Sequence, residues 1–91
     1  MLEKQIEAKA VKFCHENGIL TYKFVSPNNR GVPDRIFLKD RKVLFIEFKA
    51  PGKVPTELQK REMGRIWSAG TPAFYCDSAD LARRILKEYL L

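Results

Sequence analysis

A chain of 91 residues with 45% apolar and 31% charged content has the balance of a folded globular protein, not a disordered tail, and its length points to one domain, 1–91, with a single modest core. No apolar run approaches the roughly 20 residues that span a bilayer, and Met1-Leu2-Glu3-Lys4-Gln5 lacks the apolar stretch of a signal peptide, so no membrane partner is expected and a cytoplasmic setting is. The net charge of +6 makes a polyanion the first partner to consider.

Leu2, Ile6, Ala10 and Phe13 recur at three- and four-residue steps, which predicts an amphipathic first helix stopping near Asn17-Gly18. Glu3 and Glu7 flank its apolar stripe, where an acid is either the polar boundary or a carboxylate offered to a site beneath the helix. Cys14 and Cys76 are far apart and have no partner at metal-ligand spacing, so both read as buried free thiols of a reducing compartment; His15 reads as a helix-surface residue. Residues 19–25 are rich in β-branched and aromatic side chains and predict a strand. The turn-forming run Ser26-Pro27-Asn28-Asn29-Arg30-Gly31 is then a loop, in which Asn28, Asn29 and Arg30 are either phosphate donors or simply solvated.

Two β-rich runs, 35–38 and 43–49, are joined by the polar tip Lys39-Asp40-Arg41-Lys42 and predict a hairpin. If the fold-back centres on Asp40-Arg41, Lys39 faces Lys42 and the same register sets Asp34 opposite Glu47. Strand alternation sends Val43, Phe45, Glu47 and Lys49 to one face and Leu44, Ile46 and Phe48 to the other. Two acids and a lysine thus converge at one end of an otherwise apolar hairpin. Facing carboxylates repel, so a positive partner is expected between them: either a hard divalent cation, or Arg35 and Lys49 neutralising a pair of rim charges.

Ala50-Pro51-Gly52-Lys53-Val54-Pro55 breaks the strand, and a helix follows from about Thr56 to Ala69 with Leu58, Ile66 and Trp67 among its apolar positions. Thr56 and Gln59 have capping-box spacing. Lys53, Lys60 and Arg61 add positive charge at that end, suited to a phosphate backbone. Residues 72–76 predict a short strand, and Ser78 caps a last helix whose stripe is Leu81, Ile85 and Tyr89, with Ala82 and Leu86 alongside. The order is helix, three strands, helix, strand, helix, an α/β class with a mixed sheet.

Pro33-Asp34, a gap, and Glu47-Phe48-Lys49 resemble the PD-(D/E)XK nuclease signature, and the αβββαβα order resembles that superfamily's restriction-endonuclease-like core. The closer resemblance is to the virus-type replication-repair nuclease family, VRR-NUC. It rests on Glu7, Ser26-Pro27, Gly31-Val32-Pro33-Asp34-Arg35, Glu47-Phe48-Lys49-Ala50-Pro51, Gln59 and Gly70, and it covers nearly the whole chain. The resemblance implies that Asp34 and Glu47 are metal ligands, Lys49 the catalytic lysine, Glu7 an outer or direct metal-site acid and Gln59 a site-lining residue, with Glu3 a competitor for Glu7 one turn away. It further implies a standalone, phage-type protein acting in the host cytoplasm, similar to homodimeric Holliday-junction resolvases.

The chemistry fits these residues. Phosphodiester hydrolysis needs charge neutralised on the phosphate, an activated water and a stabilised leaving oxygen. Mg²⁺ or Mn²⁺ on Asp34, Glu47 and the Phe48 carbonyl would serve these needs, with Lys49 as base or electrostatic stabiliser. The expected function is a metal-dependent, structure-selective DNA endonuclease acting on branched DNA. Arg30, Arg35, Lys53, Lys60 and Arg61 are then its phosphate contacts, with Asn28 and Asn29, and Trp67, Leu90 and Leu91 are candidates for the dimer surface. The alternatives are a nuclease for flaps or ends on the same fold, and a catalytically silent nucleic-acid-binding module, against which the intact Asp34, Glu47 and Lys49 set speaks.

Overall fold

Alternation in the central hairpin sets the layering. A computed structural model describes all 91 residues. Its elements run α1 (Glu3–Glu16), β1 (Leu20–Lys23), β2 (Arg35–Lys39), β3 (Lys42–Phe48), α2 (Glu57–Ser68), β4 (Ala73–Cys76) and α3 (Ala79–Leu90). The four strands form one mixed sheet in the order β1-β2-β3-β4. β1 and β2 pair antiparallel, as do β2 and β3, whereas β4 runs parallel to β3 and is reached through α2. No helix is long and apolar enough to cross a membrane.

The hairpin takes the register expected from its sequence, with Lys39 opposite Lys42 and Arg35 opposite Ile46. Asp40 and Arg41 both adopt positive φ (49° and 68°), as a two-residue turn compatible with strand twist requires. Leu44, Ile46 and Phe48 are fully buried and meet Ile6, Ala10, Phe13 and Cys14 of α1 and Ala82, Ile85, Leu86 and Leu90 of α3 in one core. The opposite face of β3 carries Val43, Phe45 and Glu47, and α2 meets it at Glu47 through Gln59.

Three sequence expectations shift. β1 is four residues, shorter than 19–25, because it is an edge strand; Val25 lies exposed beyond it. α2 buries Glu62 and Met63 and leaves Leu58 and Trp67 about half exposed, with Trp67 edge-on to Phe74 at the margin of β4. In α3 the buried stripe is Ala82, Ile85, Leu86 and Leu90. Tyr89 stands at the rim against Phe74, ring centroids 5.1 Å apart. Leu90 is therefore a core residue and is removed from the candidate dimer surface, whereas Trp67 and Leu91 stay exposed.

Both cysteines are buried and unpaired. Burial pushes the Cys14 thiol up to about 11, against an opposing pull from Arg35, and burial together with Asp77 pushes Cys76 to about 12. Neither thiol ionises near neutrality.

Candidate active site

β3 delivers Glu47 and Lys49 to the α2 face because they lie two residues apart. Glu47 is 4% exposed. Its Oε2 accepts from Gln59 Nε2 at 2.9 Å and lies 3.5 Å from Lys49 Nζ. Its Oε1 is buried and accepts no hydrogen bond. Asp34, just ahead of β2, continues the hairpin register to stand opposite Glu47, and its Oδ2 accepts from the Phe48 N–H at 2.9 Å. The N–H and C=O of one strand residue leave toward the same neighbour, so the Phe48 carbonyl is presented on Asp34's side. Burial first, then the Asp34 charge, raise Glu47 to about 7; Lys49 opposes them and Glu3 adds a smaller push upward.

Gln59 has two duties. Its Oε1 accepts from the Thr56 N–H at 2.9 Å and its N–H donates to Thr56 Oγ1 at 3.2 Å, which closes the first turn of α2. The same side chain then donates through Nε2 to Glu47. The capping and site-lining readings of this residue hold together in one geometry.

Glu7 does not join Asp34 and Glu47. Its Oε2 accepts from Arg35 Nε at 2.6 Å and lies 3.4 Å from Lys23 Nζ, and no group of three acids, histidines or cysteines comes together anywhere in the chain. Glu3, one turn earlier, is the α1 acid whose charge reaches Glu47. Arg35 is correspondingly spent inside the protein, half-buried between Glu7 and Thr21 Oγ1, and is withdrawn as a DNA contact. β2 alternation explains this, since it aims Arg35 at α1.

The donor set suits a hard divalent cation: two carboxylates, a main-chain carbonyl and one buried carboxylate oxygen without a partner. A buried charged oxygen left unpaired is costly, and a cation would relieve that cost.

No protein-family model matches the chain. It is 44% identical over 81 residues to "Putative nuclease p44" of Acyrthosiphon pisum secondary endosymbiont phage 1, covering 88% of this chain and 87% of that one. The chain belongs to the same nuclease family as this phage protein. A solved structure described as a VRR_NUC domain shares the fold, with a TM-score of 0.86 over 96% of both chains at 24% identity.

Around this site, Asn28, Asn29 and Arg30 are exposed on the loop before Asp34, Lys53 is exposed on the loop before α2, and Arg61 is exposed in the second turn of α2. Lys60 is placed differently. It lies 3.2 Å from Glu57 and turns toward a groove shared with Met63, Trp67 and Tyr75, because one helical residue past Gln59 is rotated by about 100°. Two features lay outside the sequence reading. Tyr75 stands in register with Glu47 on the neighbouring strand, and Glu62, three residues after Gln59, is a buried acid on the same helix face.

Proposed function

We propose that residues 1–91 form one metal-dependent, structure-selective DNA endonuclease unit that hydrolyses phosphodiesters in branched DNA in the host cytoplasm, as a homodimer resembling Holliday-junction resolvases. The observation that carries this reading is the unpartnered, buried Glu47 Oε1 beside Asp34 and Lys49.

In this reading Asp34, Glu47 and the Phe48 carbonyl would hold Mg²⁺ or Mn²⁺. Such an ion supplies an acidified water and neutralises charge on the phosphate. The chain's own groups do the rest. Gln59 and Lys49 both lie on Glu47 Oε2, which leaves the buried Oε1 without a partner. The Phe48 N–H holds Asp34. Lys49, with its side chain 15% exposed and 3.5 Å from Glu47 Oε2, sets a compact positive charge beside the carboxylate pair, where it would stabilise charge developing on a bound phosphate. Glu7 acts as an outer acid that fixes Arg35. Asn28, Asn29, Arg30, Lys53 and Arg61 receive the backbone, with Lys60 further round the helix. Exposed Trp67, Tyr75 and Tyr89 support a self-association surface at the β4 edge.

The test is a set of labelled four-way junctions, flaps, duplexes and single strands incubated with Mg²⁺, Mn²⁺ or EDTA. Junction incision in either metal, lost in EDTA and in Asp34→Asn and Glu47→Gln, is the expected result. Full activity in EDTA would remove the metal reading, and trimming of flaps alone would remove the junction reading.

A further inference from the structure

Beyond Glu47, the same faces of β3 and α2 continue into a second cleft. On β3, Phe45 lies two residues before Glu47 and therefore beside it, about 7 Å along the strand. On α2, Glu62 and Ile66 lie one and two turns beyond Gln59 on the same side. Between them is a cavity of about 330 Å³, closed on the far side by Phe24, Val32 and the loop residues Ser26 and Asn29. Phe24 and Phe45 meet edge to face, centroids 4.9 Å apart, and form its aromatic wall. Glu62 sits in this cavity although it is only 8% exposed. Its one protein partner is Arg65 Nη1, at 3.4 Å from Oε2 and on a side chain that is largely in solvent; Oε1 accepts no protein hydrogen bond. Glu47 Oε1 is the buried side-chain oxygen without a partner, so Glu62 Oε1 keeps contact with solvent in the open cleft and is available to a donor on a ligand.

We infer that this cleft is a nucleobase pocket that takes an unpaired guanine next to the scissile phosphate; the inference rests on the nucleic-acid reading of the adjoining site. An extruded base is held by apolar and aromatic walls and recognised through its Watson–Crick edge, and the cleft offers both kinds of contact. A carboxylate only accepts hydrogen bonds. Guanine is the base whose free edge carries two adjacent donors, N1–H and N2–H, matching two carboxylate oxygens. Adenine and cytosine set a single amine beside a ring acceptor, which Glu62 would repel. Selection of an unpaired base would give the nuclease a local reason to prefer branch points, where stacking is already interrupted.

The experiment uses Glu47→Gln protein, which is expected not to cleave, and labelled short oligothymidylates carrying one central guanine, inosine, adenine or cytosine. Anisotropy titrations should show guanine bound on the order of tenfold more tightly than inosine, which lacks the N2 amine, and than adenine or cytosine. Added Glu62→Gln should erase that preference. Ala69→Trp, which fills the cleft mouth from an exposed position, should erase it as well, so the result does not depend on how Glu62→Gln folds. Ring resonances of Phe24 and Phe45 should shift with the guanine strand and not with oligothymidylate alone. Equal binding of all four strands, or a guanine preference that survives both variants, would overturn the pocket and leave the nuclease reading in place. Failure to bind any strand would overturn the pocket too, and the junction-cleavage assay would then decide the nuclease reading separately.

Discussion

Glu47 concentrates the site's energetics in one side chain. Its folded pKa of about 7 lies above the ordinary 4.5, so between these values the folded chain binds more protons than the unfolded one. By linkage, stability without metal falls as pH rises from about 4.5 to 7 and stays low above that. The full effect is bounded by about 3 kcal/mol. Urea titrations in EDTA should show wild type losing stability across this window, whereas Glu47→Gln should follow a flatter curve and be the more stable protein at pH 8; superimposable curves would remove the buried-charge account. Lys49 tests chemistry separately. Lys49→Ala should bind junction DNA within about tenfold of wild type, or 1.4 kcal/mol, yet lose most single-turnover cleavage. Collapsed binding with normal turnover at saturation would reassign it. Asp34, Glu47 and Lys49 were legible in the sequence because a period of two and a two-residue turn leave one register open. Glu7 was not, since helical spacing cannot separate it from Glu3, and the deciding partner, Arg35, arrives from a strand 28 residues away. Glu62 was hidden for another reason: an acid on a lysine- and arginine-rich helix reads as surface, although the fold leaves it only 8% exposed.

Among the elements, the hairpin was the most legible and α2 the least. Alternation and turn chemistry are local, so β2 and β3 emerge with the expected pairing. What α2 buries depends on how much sheet lies beneath it, and on the loop before Asp34, neither of which periodicity reports. That loop meets α2 at Gly31, where φ is +85° and an added Cβ would lie 2.9 Å from Leu58 Cγ and 3.0 Å from the Leu58 carbonyl oxygen. Gly31→Ala therefore forces an L residue into left-handed backbone, costing about 1–2 kcal/mol, and also pushes on the first turn of α2, which carries Gln59. Gly52→Ala supplies the control, because its φ is +79° but nothing lies within 4 Å of the added atom. Gly52→Ala should lower Tm by roughly 4–8 °C per kcal/mol of strain. Gly31→Ala should lower it further and also reduce cleavage, since Gln59 would release Glu47. Equal losses in the two variants, with cleavage intact in both, would mean that the loop does not position the helix.

At the scale of the whole molecule, a chain of +6 charge places its carboxylate pair on the α2 side of the sheet and its apolar core on the other. The net charge draws DNA from any direction, but each chain holds one Asp34–Glu47 pair, and paired incision of a four-way junction needs two such sites related by a two-fold axis. Affinity should accordingly fall with salt by about 0.9 in log–log slope for each phosphate neutralised, and Arg30→Ala with Lys53→Ala should reduce that slope. The decisive measurement is a mixture of wild-type and Glu47→Gln chains. Mixed dimers should nick one strand and rarely resolve the junction, so resolution should fall roughly as the square of the wild-type fraction while nicking falls linearly, and light scattering at micromolar concentration should give twice the chain mass. Resolution that falls linearly with the wild-type fraction would mean that one chain cuts both strands. That result would remove the dimer while leaving the metal site and its chemistry as argued, because Asp34, Glu47, Lys49 and Gln59 are all contributed by a single chain.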